Sequence, residues 1–173
     1  MFGRCPKCGS AEIGPDGRCE LCGFPATLVN KAMLQMYLIT GAHAASVFVY
    51  GLIAYVMVTG GRLNVRPGAV PVALGYGLVA VGVLAATAGY LVARRGAKPA
   101  APRVLLRWLL IASALVEAAA ILGLVATLIS GNLQWIALLL AVSLGGFAAV
   151  GSEMPAYAHS LVTYAEKNYD DRE

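Results

Sequence analysis

RVLLRWLLIASALVEAAAILGLVATLISG, residues 103–131, carries one acid, Glu117, near the middle of a run that is otherwise apolar or small beyond Arg103 and Arg107. At ~1.5 Å of rise per residue, a helix of this length spans the ~30 Å hydrocarbon core of a bilayer. Glu117 is then a mid-membrane carboxyl. Placing an ionisable group at that depth costs roughly 2–4 kcal/mol, so such a group normally has a partner, a water-filled cavity or a task.

The rest of the chain agrees with a membrane reading. Of 173 residues, 59% are hydrophobic and 13% charged, about half the charged share of a soluble domain. The mean hydropathy is +0.72. Four stretches are long enough to cross a bilayer, at 31–59, 67–93, 104–130 and 133–154. The N-terminus lacks the apolar region of a signal peptide, so no cleavage is expected. With the N-terminus inside, Arg4, Lys7, Arg18, Lys31, Arg94, Arg95, Lys98, Arg103, Arg107, Lys167 and Arg172 all fall on the cytoplasmic side. Only Arg62 and Arg66 fall outside. This asymmetry predicts a multi-pass protein of the cell (inner) membrane with both termini cytoplasmic. The net charge of +4 is then mostly a topology signal, directed at anionic headgroups.

Ahead of the first span, the four cysteines form two knuckles, Cys5-Pro6-Lys7-Cys8-Gly9 and Cys19-Glu20-Leu21-Cys22-Gly23. Each Cys-x-x-Cys places two thiolates on one tight turn, and the following Gly permits the backbone conformation that turn needs. Two such turns supply a closed tetrahedral set of four thiolates. Gly14-Pro15-Asp16-Gly17 between them reads as the turn of a short hairpin. The pattern resembles a zinc ribbon. It implies a structural Zn2+ on Cys5, Cys8, Cys19 and Cys22, with metal binding supplying most of the folding free energy of so small a unit. A cytoplasmic location disfavours two disulfides, and a redox role lacks the surrounding βαβ pattern. The basic residues here are offset by Glu12, Asp16 and Glu20, so no nucleic-acid partner is expected. The predicted fold is therefore an all-α integral membrane protein with four transmembrane helices and a small N-terminal zinc ribbon. Its expected divisions are the ribbon at 1–30, the membrane domain at 31–156 and a polar cytoplasmic tail at 157–173.

His43 stands about twelve residues beyond Lys31 in the first span. The first and third spans run the same way across the membrane, so His43 and Glu117 lie at similar depth and can pair. The other reading of His43 is a neutral histidine bonded to a backbone carbonyl or to Ser46. The second span has Gly75, Gly82 and Gly89 at seven-residue spacing, a smooth stripe for close helix packing against this chain or another copy. Tyr50-Gly51-Leu52 in the first span parallels Leu122-Gly123-Leu124 in the third, a faint internal repeat.

The hairpin of spans two and three reads Gly96-Ala97-Lys98-Pro99, then ten residues, then Leu110-Ile111, and finally Leu115-Val116-Glu117. It resembles the c subunit of rotary ATP synthases, the proteolipid. The resemblance implies that Glu117 binds H+ or Na+, with Ser113, one turn earlier, placed to hydrogen-bond the carboxyl; together with His43, matched to it by depth, these are the tentative ion-binding residues. Ala97 and Lys98 stand where that family has Arg and Gln or Asn, and the glycine repeat is sparser than the family's. No nucleophile with a base, no phosphate-binding Gly loop and no open metal site is legible, which reads against an enzyme. Two functions follow as expectations. One is a membrane scaffold or assembly partner whose ribbon docks a membrane or cytoplasmic protein. The other is a proteolipid-like ion carrier, for which further copies of the chain would be the partners.

Overall fold

The computed structural model describes residues 3–61 and 72–169. Arg62, Arg66, the start of the second expected span at Pro67, and Arg172 lie outside the described residues. Five helices follow one another: α1 (Ala26–Thr59), α2 (Val72–Gly96), α3 (Pro102–Ser130), α4 (Leu133–Ser152) and α5 (Met154–Tyr169). No strand occurs among the described residues, and the hairpin expected around Gly14 is reduced to a tight turn closed by one bridge between Ile13 and Cys19. Four helical stretches are long and apolar enough to cross a membrane: α1, α2, α3, and α4 together with α5.

Local chemistry sets the helix ends. Pro102 opens α3, where its missing N–H would have had no helical partner anyway. Gly131 closes it in the left-handed region at φ +67°, its N–H donating to the Thr127 carbonyl. Asn132 then caps α4 by accepting the Gln134 N–H at 2.9 Å. Pro155 breaks α4 from α5, because it has no N–H to offer Gly151 and its ring crowds that carbonyl.

The central pair is α3 and α4, with α1 and α2 flanking it and α5 touching α1 and α4. The glycine stripe on α2 is used inside this chain: Gly75 lies under Trp135, Gly82 under Leu139 and Ala119, and Gly89 against Ala112 and Val116. On α4, Gly146 packs on Val116 and Ala86, whereas Gly145 and Gly151 face open space. Gly51 and Gly123, paired in the internal repeat, each meet a leucine of α4, Leu140 and Leu139 respectively. Only 11% of the α1 window is buried against 44% for α3, so Phe48, Leu52 and Tyr55 face outward, as lipid contact requires.

One end of the bundle gathers the head, the start of α1, the end of α2, the start of α3, and α5. There Tyr157 donates to the Ala93 carbonyl at 2.9 Å, Ser160 to the Ala97 carbonyl at 2.8 Å, and Lys7 pairs with Glu166 at 3.4 Å. The stretch read as a polar tail is helical to Tyr169, and Tyr157, Leu161 and Ala165, four residues apart, form a buried stripe. Glu153 sits at the turn between α4 and α5.

Candidate functional site

Two constellations hold the chemistry, one at each level of the molecule. In the head, the two knuckles are built alike. Cys5 N–H donates to the Ser10 carbonyl and Gly9 N–H to the Cys5 carbonyl; Cys19 N–H donates to the Phe24 carbonyl and Gly23 N–H to the Cys19 carbonyl. Gly9 and Gly23 take φ +79° and +68°, a region where a side chain would strain the turn. The sulfurs converge as a result. Cys5 and Cys22 Sγ are 3.6 Å apart, Cys8 and Cys19 Sγ 3.5 Å, and all four lie within 4.8 Å of one another. A tetrahedral ion with metal–sulfur bonds of ~2.3 Å separates its ligands by about 3.8 Å. The donor set therefore fits a four-thiolate metal ion.

The four thiols are free and unequal. Burial opposes ionisation of Cys19, but the N–H groups of Cys22 and Leu21 outweigh it and bring that thiol down to about 7. The Phe24 N–H favours the Cys22 thiolate, yet burial and the neighbouring thiols push it up to about 12. Four thiolates cannot ionise side by side without a cation among them, so metal binding must displace thiol protons.

In the bundle, Glu117 reaches across from α3 to α1. Its Oε1 accepts from Ser46 Oγ at 2.6 Å and from Tyr50 OH at 2.6 Å, and its Oε2 pairs with His43 Nδ1. His43, Ser46 and Tyr50 stand at i, i+3 and i+7, one face of α1. Glu117 is 13% exposed and His43 27%, so the cluster lies at the outer seam of α1 and α3. Ser46 Oγ is also 2.6 Å from the His43 carbonyl oxygen. A serine has one proton for these two acceptors. With the carboxylate ionised, Ser46 donates to Oε1. With a proton on Oε1, the acid donates to Ser46, whose own proton turns to the His43 carbonyl. One hydroxyl rotation thus adapts the cluster to one proton more or less.

Ser113 takes no part in this. It is fully buried, and its Oγ has no hydrogen-bond partner among the described residues. Glu117 is turned toward α1, where three side chains meet its carboxylate, and Ser113 stays inside the bundle. Tyr50 was not anticipated as a donor. Its signal was present as the third polar residue at helical spacing along an apolar span.

The chain matches no family model, no curated protein and no solved structure. These comparisons therefore show no similarity of the α2–α3 hairpin to the proteolipid.

Proposed function

We propose that this chain is a multi-pass membrane scaffold that holds a zinc-bound knuckle unit at the cytoplasmic face of the cell membrane for a protein partner. The convergence of Cys5, Cys8, Cys19 and Cys22 carries the reading. A closed set of four thiolates has no open position for substrate, so the ion would brace residues 1–30 and no catalytic role is proposed. Support comes from how the head is seated. Cys5, Cys19 and Phe24 belong to one apolar cluster with Val29 of α1 and Leu161 and Ala165 of α5, and Asn30 donates to the Arg4 carbonyl at 3.1 Å. A unit tied down in this way keeps a fixed orientation on the bundle, which is what presentation to a partner needs. Native mass spectrometry of the full chain is expected to show one zinc per chain, absent in Cys5→Ser/Cys19→Ser. Zinc-free wild-type protein from zinc-replete cells would sink the proposal.

A second reading is favoured by the Glu117 cluster: Glu117 carries a proton, as the resemblance to the proteolipid implies. The hydroxyl rotation at Ser46 supports it, and so does direct contact between oxygens 2.6 Å apart. Hard cations such as Ca2+ sit ~2.3–2.6 Å from each oxygen and would hold their ligands more than about 3 Å apart, so H+ suits the cluster better than a metal ion. In vesicles with an imposed pH gradient, wild type would conduct protons and an equally well folded Glu117→Gln would not. Silence from both would leave Glu117 as a tie between α1 and α3.

A further inference from the structure

At the head end of the bundle lies a hollow of about 760 Å3 that neither constellation uses. Four separate parts of the chain meet there. The Gly14–Arg18 turn of the head brings Arg18, α1 brings Lys31, α3 brings Arg103, and α5 brings Tyr164. Among the described residues, none of the three cationic side chains has an ion-pair partner. The one carboxylate on the wall, Asp16, already accepts the Arg18 N–H at 3.0 Å as part of its turn. The hollow therefore keeps an excess of positive charge.

The backbone adds to that excess. Pro25 and Ala101, the residues before α1 and α3, both line the hollow. Neither helix start has a side-chain cap, and neither first turn contains an acid, so the positive ends of two helix dipoles are left uncompensated. Three cations gathered from three parts of the chain around one hollow repel one another. An anion among them removes that repulsion and accepts their hydrogen bonds. Depth narrows its identity. Lys31 and Arg103 stand where α1 and α3 enter their apolar runs, the level of lipid phosphates, and Leu28 and Ala32 give one wall an apolar strip.

We propose that this hollow is a binding site for a phosphate-bearing anion at the cytoplasmic surface of the membrane. A phospholipid headgroup and a soluble phosphate share the chemistry, and the test separates them. The zinc-loaded full chain is released from nanodiscs of mixed phosphatidylglycerol and phosphatidylcholine, with or without millimolar inorganic phosphate, and retained lipid is read by native mass spectrometry. One phosphatidylglycerol per chain, retained in preference to phosphatidylcholine, identifies the headgroup as the ligand. A phosphate adduct that displaces the lipid identifies the soluble anion. Arg18→Gln/Arg103→Gln should weaken retention about tenfold or more, since hydrogen bonds to charged groups are at stake. Arg94→Gln/Arg95→Gln removes the same charge from the exposed end of α2 and should leave retention unchanged. Zinc content serves as the check that every variant is folded. Equal losses in the two double variants would overturn the proposal by reducing the effect to general surface charge, and so would wild type that retains neither lipid nor phosphate.

Discussion

Cys19 and Cys22 show how one residue type acquires opposite character three positions apart. Against its burial, peptide N–H groups directed at Cys19 bring its thiol down to about 7, whereas burial and the neighbouring sulfurs override the Phe24 N–H and push Cys22 up to about 12. Metal ligation needs every thiol deprotonated. Lowering the pH therefore opposes binding, by roughly tenfold per pH unit for each proton displaced. Zinc affinity measured by competition with a chromogenic chelator should fall steeply from pH 8 to pH 6. A flat profile would mean that the cysteines are not the ligands. In the bundle, Glu117 gains three partners from one face of α1, and interhelical hydrogen bonds in membranes contribute about 0.6 kcal/mol each and up to about 1.7. That matters for α1, which is the least buried of the four candidate spans.

Among the elements, α2 depends most on having no side chains at chosen places. A Cβ added at Gly89 would stand 2.7 Å from the Ala112 carbonyl oxygen and 2.8 Å from Val116 Cγ2. The first of these is backbone and cannot swing aside. At Gly77 nothing lies within 4 Å. Alanine is a better helix former than glycine by up to ~1 kcal/mol. Gly77→Ala should therefore be neutral or stabilising. Gly89→Ala should destabilise by about 1–3 kcal/mol through overpacking. Unfolding of the two variants in mixed detergent micelles compares them directly, and equal stabilities would show that α2 does not pack on α3 as described. The break between α4 and α5 is a second local device. It lets Tyr157 and Ser160 hydrogen-bond the end of α2 and its loop, and so closes the head end of the bundle.

For the whole molecule, the head, α1 and α5 share one apolar cluster with the membrane bundle. With zinc in the proposed role, its loss should therefore be felt beyond the knuckles. Treatment with a strong zinc chelator is expected to raise hydrogen exchange throughout residues 3–25, at the first turns of α1, and along the Leu161 and Ala165 face of α5. The middle of α3 and α4 should stay protected. An α5 whose exchange does not change would mean that the head rests on the bundle without being coupled to it.

The number of spans, their approximate limits and the four thiol positions were legible in the one-dimensional pattern. Hydrophobic length and ligand spacing are properties of neighbours along the chain, and a bilayer or a metal ion reads them directly. His43 and Glu117 could be matched for depth because depth follows from counting residues along two parallel spans. Which side chains meet the carboxylate could not be counted in that way: Ser113 was expected one turn before it and Tyr50 was not, and only the rotation of α3 against α1 turned the carboxylate to Ser46 and Tyr50. The glycine stripe on α2 announced a close contact without saying whose, and the fold assigned it to α3 and α4 of the same chain. The seat of the head on α5 and the gathering of Arg18 and Lys31 with Arg103 around one hollow join parts of the chain more than seventy positions apart. In lipid, one apolar face resembles another, so these choices rest on many small packing contacts that exist only once all the helices are in place.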